Sequence, residues 1–205
     1  QNASKDSDPS FDVVTNDLQI YVPVLEKSTI VFDLQMSDAI VKKKGETNLE
    51  ILKAQNGFNN CGGNTACEQN ATNLANTQLM INTNGTSTFL GGGDRLRAYP
   101  QGRFQGANML YFATEFRWNF SESGGGQFDS LFFQDLVDDM QVALFYENGS
   151  ISEEKSDLGK ISKSSYGTGF RLVNASGNIY RADLASGDEG TNFTLIIQYP
   201  WTYRL

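Results

Sequence analysis

The sequence predicts an all-β fold of about seven antiparallel strands, and three observations carry that prediction. Seven segments alternate apolar and polar residues with a period of two, as strands do when successive side chains point to opposite faces. Clusters of Gly, Asn and Ser punctuate the segments. No stretch offers a confident helical periodicity.

Taken in order, a polar tail, QNASKDSDPS, leads into the first strand. There Leu18, Ile20, Val22 and Val24 alternate with Asp17, Gln19 and Tyr21, and Pro23 marks an edge or a terminus. The short connection LEKS at 25–28 precedes Ile30, Phe32, Leu34 and Met36, set opposite Asp33 and Gln35. Residues from about 42 to 107 form a long connection rich in Asn, Thr and Gly, with strand-like pieces around 49–53 and 77–82. A connection of that length in a compact domain is usually functional or disordered.

The clearest alternation follows. Leu110, Phe112, Thr114, Phe116, Trp118 and Phe120 lie on one face, and Met109, Tyr111, Ala113, Glu115, Arg117 and Asn119 on the other. The segment FDSLFFQDLV within 121–139 fits a short helix or strand equally well. Met140, Val142, Leu144 and Tyr146 then alternate with Gln141, Ala143, Phe145 and Glu147, ending at a strong turn signal, Asn148-Gly149. After a charged loop come Tyr166, Thr168, Phe170 and Leu172, then Tyr180, Ala182 and Leu184, then Phe193, Leu195, Ile197, Tyr199 and Trp201.

Composition excludes several functions. At 205 residues one domain is expected, and a net charge of −8 argues against a nucleic-acid partner. No histidine is present, which removes Ser-His and Cys-His catalysis and histidine metal sites together. No enzyme, cofactor or metal site is expected: carboxylate pairs occur on the polar faces but nothing places two of them around a substrate, and the neighbourhood of the cysteines offers no further metal ligands. No apolar run reaches the roughly 18 residues of a membrane helix, which leaves membrane barrels open. No signal peptide is visible at Gln1, as fits a mature, truncated or cytoplasmic chain. Cys61 and Cys67 flank five residues with two glycines, a spacing that fits a small disulfide loop in an oxidising compartment, or two unpaired thiols on an exposed loop.

One face of every strand is apolar, and the opposite faces hold Asp17, Asp33, Glu115, Arg117, Glu147, Arg171, Arg181 and Asp183. A soluble sandwich alternates in the same way as a membrane barrel. Two features point toward lipid: aromatic residues near strand ends, as at Trp118, Phe120 and Trp201, and short turns at 25–28 and 174–177 set against long loops.

Several motifs, in order, resemble the C-terminal barrel region of the BamA/TamA-type outer-membrane protein assembly and translocation family. LGG followed by LRAYPQGRF resembles the family's (V/I)-R-G-(F/Y) tip in its sixth extracellular loop. TEFRW resembles the E-x-R strand after it, and FYENG the F-x-D-x-G strand beyond. YGTGFRLV, IYRADLA and TLIIQYPW follow in the family's order, so the likeness covers about 16–201.

The resemblance implies a transmembrane β-barrel in the bacterial outer membrane, with these seven strands the last of sixteen and residues 42–107 folding inward. It implies that Arg97, with Tyr99 beside it, meets Glu115 and Glu147 on the wall as a loop latch, while Arg117 shares the face of Glu115. Leu110, Phe112, Phe116, Trp118, Phe193, Leu195 and Ile197 would face outer-membrane lipid. The activity implied is insertion or translocation of proteins at the outer membrane.

The chain departs from the family in four places. Ala98 stands where the family has glycine, Glu147 replaces an aspartate, the 121–139 segment is long for a periplasmic turn, and four residues follow Trp201. Seven strands are also too few and of the wrong parity for a bacterial barrel. We therefore expect one piece of a split or cleaved barrel, completed by a second polypeptide through edge pairing at 16–24 and 191–201, with client proteins or other complex subunits as further partners. Competing readings are a structural or porin-like subunit of a larger outer-membrane complex, and a secreted soluble β-sandwich. The sandwich draws on seven N-x-S/T sequons, at Asn2, Asn70, Asn84, Asn119, Asn148, Asn174 and Asn192, of which Asn192 falls in a predicted strand.

Overall fold

A computed structural model describes residues 8–120, 139–173 and 179–198. All seven strands belong to one antiparallel sheet in sequence order: β1 (Ser10–Leu25), β2 (Ser28–Lys43), β3 (Asn108–Asn119), β4 (Asp139–Ser152), β5 (Lys163–Val173), β6 (Ile179–Gly187) and β7 (Gly190–Gln198). The sheet is open, β1 pairing with β2 and β7 with β6. A two-sheet sandwich is therefore not how these strands are arranged. The calls at 121–138, 174–178 and 199–205, including Tyr199 and Trp201, lie outside the described residues.

Alternation decides which face is which. Met109, Tyr111, Ala113, Glu115, Ala143, Phe145, Glu147, Ser165 and Asp183 are buried on one face. On the other, Phe112, Trp118, Leu144, Tyr166, Phe170, Leu184, Phe193, Leu195 and Ile197 are all exposed. From β2 to β6 the molecule is thus inverted with respect to a water-soluble sheet, since its ionic face is largely covered and its apolar face is bare, whereas β1 is exposed on both faces.

Two expectations are corrected. The strand-like pieces at 49–53 and 77–82 are helical, in α1 (Leu49–Gln55) and α2 (Thr65–Asn84). Asn48 caps the first helix through the amides of Glu50 and Ile51, and Asn64 caps the second through Cys67, each supplying acceptors to orphan N–H groups. Leu52, Ala71 and Ala75 are buried on these helices, so the packed faces are narrow and made largely of small residues, too faint to read as an apolar stripe. Cys61 and Cys67 form a disulfide that ties the entry of α2 to the short 3-10 turn before it.

The second correction concerns Asn148-Gly149, which lies inside β4 with Gly149 paired to Tyr111 and Lys163. Glycine serves close approach here: a Cβ would come 2.6 Å from a methyl of Leu90 and 3.1 Å from one of Leu96. The predicted connection at 25–28 narrows to Glu26 and Lys27, with Leu25 opposite Ser28.

Candidate functional site

The segment between α2 and β3 crosses the ionic face as a closed lasso. Leu90 and Phe104 exchange backbone hydrogen bonds of 2.9 and 3.0 Å at its neck. Inside it, Gly91 and Gly92 adopt positive φ, and Leu96 takes φ 50°, so the tight bend falls there and not at Ala98. Ala98 therefore carries no left-handed strain. Leu90, Leu96, Ala98 and Tyr99 pack with Met109, Tyr111, Ala113, Phe145 and Ala185 in the main apolar cluster of the ionic face.

The bend delivers Arg97 into a cage of three carboxylates. Its Nε donates to Glu147 Oε1 at 2.8 Å, one Nη to Glu115 Oε2 at 2.8 Å, and the other to Asp183 Oδ2 at 3.3 Å. The backbone N–H of Arg97 donates to the second Glu147 oxygen at 2.7 Å, and the Tyr111 hydroxyl donates to Oε1 at 2.9 Å. The guanidinium carbon lies 3.4 Å from the Phe145 ring centroid, so the cation is stacked as well as paired. Arg97 is 4% exposed and Glu147 0%, which makes these charge-assisted bonds of the strong, poorly screened kind. Burial opposes the charge, yet Glu147, Glu115 and Asp183 together hold the guanidinium's pKa above its ordinary value.

The surrounding wall balances the cage. Glu115 also accepts from Arg117 Nε at 2.7 Å and from Arg171, while Arg181 Nε donates to Asp183 at 2.6 Å. Gly169 makes room for Asp183, because a Cβ there would stand 2.3 Å from its Oδ1. Tyr99 is fully buried, with its hydroxyl donating to the Ser164 carbonyl and accepting from the Asp188 amide, each at 3.2 Å. At the rim Arg103 meets Glu189 in two bonds of 2.8 and 2.9 Å, which hold Glu189 below its ordinary pKa and Arg103 above its own.

All five residues assigned to the loop latch from sequence thus come together: Arg97, Glu115, Glu147 and Arg117 in one network, with Tyr99 packed beside it. Asp183, Arg171, Tyr111 and Phe145 were not assigned to it. Alternation had put the three on β3, β5 and β6 that bear polar groups on the right face, but which of them Arg97 reaches depends on stagger across strands. Leu110 and Phe116 are partly exposed, and Phe112, Trp118, Phe193, Leu195 and Ile197 exposed, on the opposite face. Beside the cage lies a polar cavity of about 330 Å³. Among the described residues no cluster of His, Cys, Asp or Glu could hold a metal ion, and no helix is long and apolar enough to cross a membrane, which says nothing of strands. No family model matches the chain, and no curated protein matches it.

Proposed function

We propose that this chain is a section of the wall of a BamA/TamA-type outer-membrane β-barrel, assisting insertion or translocation of proteins, with the Arg97 lasso latched against the lumen side. One observation carries the reading: a single sheet with a bare apolar face, opposed by an ionic face on which a loop arginine is buried among three carboxylates. Lipid is the solvent that suits the first face, and a protein-lined lumen suits the second. Strands of 12 and 14 residues in β3 and β4 exceed the roughly 9–11 that a tilted span requires. The open edges at β1 and β7 call for further strands, supplied by a second polypeptide or by more of a longer chain.

The test replaces Arg97 with alanine in the cells that make this chain and measures the folded fraction of other outer-membrane barrels by heat-modifiable gel mobility. A fall in that fraction at unchanged chain level is expected. Unaltered folding of every client barrel would remove the assembly role.

A porin-like wall is the second reading, favoured by the polar cavity. There β1 and β2 supply Asp17 and Asp33 while β3, β5 and β6 supply Arg117, Arg171 and Arg181, a transverse arrangement of charge suited to an aqueous path. Planar-bilayer conductance of the assembled barrel separates the two.

A further inference from the structure

The two edges of the sheet constrain what can complete it. Each strand is antiparallel to the next, so six reversals separate β1 from β7 and the two edge strands run in the same direction. Copies of this sheet arranged around an axis normal to a membrane would set β7 of one against β1 of the next as a parallel pair. Bacterial membrane barrels have antiparallel neighbours and an even strand total. Starting from seven, only an odd number of added strands meets both conditions.

The edges themselves are built for pairing. Free edges in natural sheets are blunted by charged residues, proline or bulges. Over Gly190–Gln198, β7 carries neither a charged residue nor a proline. In β1 the register shifts sit at the two ends, at Ser10–Phe11 and Pro23–Leu25, leaving Phe11 to Val22 paired with β2 without interruption, and its two acids are engaged by β2, Asp12 with Lys42 and Asp17 with Gln35. The edges also differ in length, 16 residues in β1 against 9 in β7, so one repeated strand cannot match both.

Resting on the barrel-wall reading above, we infer that the occupant of the two edges is an antiparallel β-segment with an odd number of strands, whose first and last strands both run opposite to β1 and β7. A second copy of this chain in the same membrane orientation is thereby excluded as the closing element. An inverted copy, which would meet the strand rule, would place its long connection between β2 and β3 on the side where barrels carry short turns.

Strand direction can be read by site-specific photocrosslinking in the cells that make the chain. A benzophenone amino acid replaces Val14 or Ile20 on β1, and Phe193 or Ile197 on β7, four exposed positions at two levels of each edge. Mass spectrometry then identifies the captured residues. The expected adducts come from outside residues 1–205, and on each edge their numbering falls as the probe's number rises. Adducts to this chain's own β1 or β7, numbering that rises with the probe's, or no protein adduct at either edge would overturn the inference. Alkaline carbonate extraction of the same membranes keeps the two readings apart. A chain released by carbonate takes the barrel wall and this inference down together, whereas a retained chain with self-adducts or parallel order removes this inference alone.

Discussion

At the scale of single residues, Arg97 is the point on which the inward loop turns. It is held by Nε, both Nη groups, its own backbone N–H and the Phe145 ring, a set that no other cation among the described residues matches. Replacing it with alanine leaves Glu147 and Asp183 buried with less compensation, and we expect a loss of about 3–5 kcal/mol. Lysine keeps the charge but cannot fork between Glu147 and Glu115, so it should recover only part of that loss. Guanidinium unfolding in detergent micelles measures both. If Arg97→Ala unfolds within about 0.5 kcal/mol of the native chain, the cage is worth no more than a solvated pair. That Arg97 meets Glu115 and Glu147 is what the resemblance implies, and the polar parity of both carboxylates on their strands agrees with it, a parity that Asp183 shares. What parity could not tell is that Asp183 reaches Arg97, because that depends on the stagger of β4, β5 and β6.

At the scale of elements, strands were legible and helices were not. In β3 the alternation runs without a break from Met109, and Met109, Tyr111, Ala113 and Glu115 are buried at the expected parity, with Asn108 at the strand's start the exception. In α2 the buried positions are Ala71, Ala75 and Asn82, spaced by helical turns but lacking large apolar side chains, so a period-two fragment such as 77–82 stood out instead. Gly149 misled for a related reason: the need for glycine came from Leu90 and Leu96 above it, a contact invisible to local sequence. The α1–α2 hairpin stands on its own contacts, with Asn56 Nδ2 donating to Gln78 at 3.0 Å and Asn82 Nδ2 to the Glu46 carbonyl at 2.7 Å. Converting Cys61 and Cys67 to serine should therefore cost about 2 kcal/mol of loop entropy, confined to this hairpin. Hydrogen exchange should quicken across 48–85 and stay unchanged in β3 and β4. Equal quickening in β3 and β4 would mean that the helical cap and the sheet are one cooperative unit.

At the scale of the whole molecule, the question is what covers the apolar face. Water, a protein partner and lipid predict different responses to the same substitution. Leu144 is 57% exposed and sits between Phe116 and Thr168 in the middle of that face, while Trp118 lies near the end of β3. An arginine at 144 on a face that meets water would shift stability by no more than about 0.5 kcal/mol. Against a protein partner, Leu144→Arg and Trp118→Arg would both lower association, in proportion to what each buries and without regard to height along the strand. Against lipid the cost follows depth: about 2–4 kcal/mol at the midplane, falling to about 0–1 near the interface. We expect that gradient, with Leu144→Arg strongly and Trp118→Arg weakly destabilising, when unfolding is followed for the assembled barrel in phospholipid vesicles. Large losses at both positions would place a protein on this face, and shifts within about 0.5 kcal/mol at both would place water there. The depth dependence is decisive because it arises from the solvent's own profile, which the apolar pattern alone does not reveal.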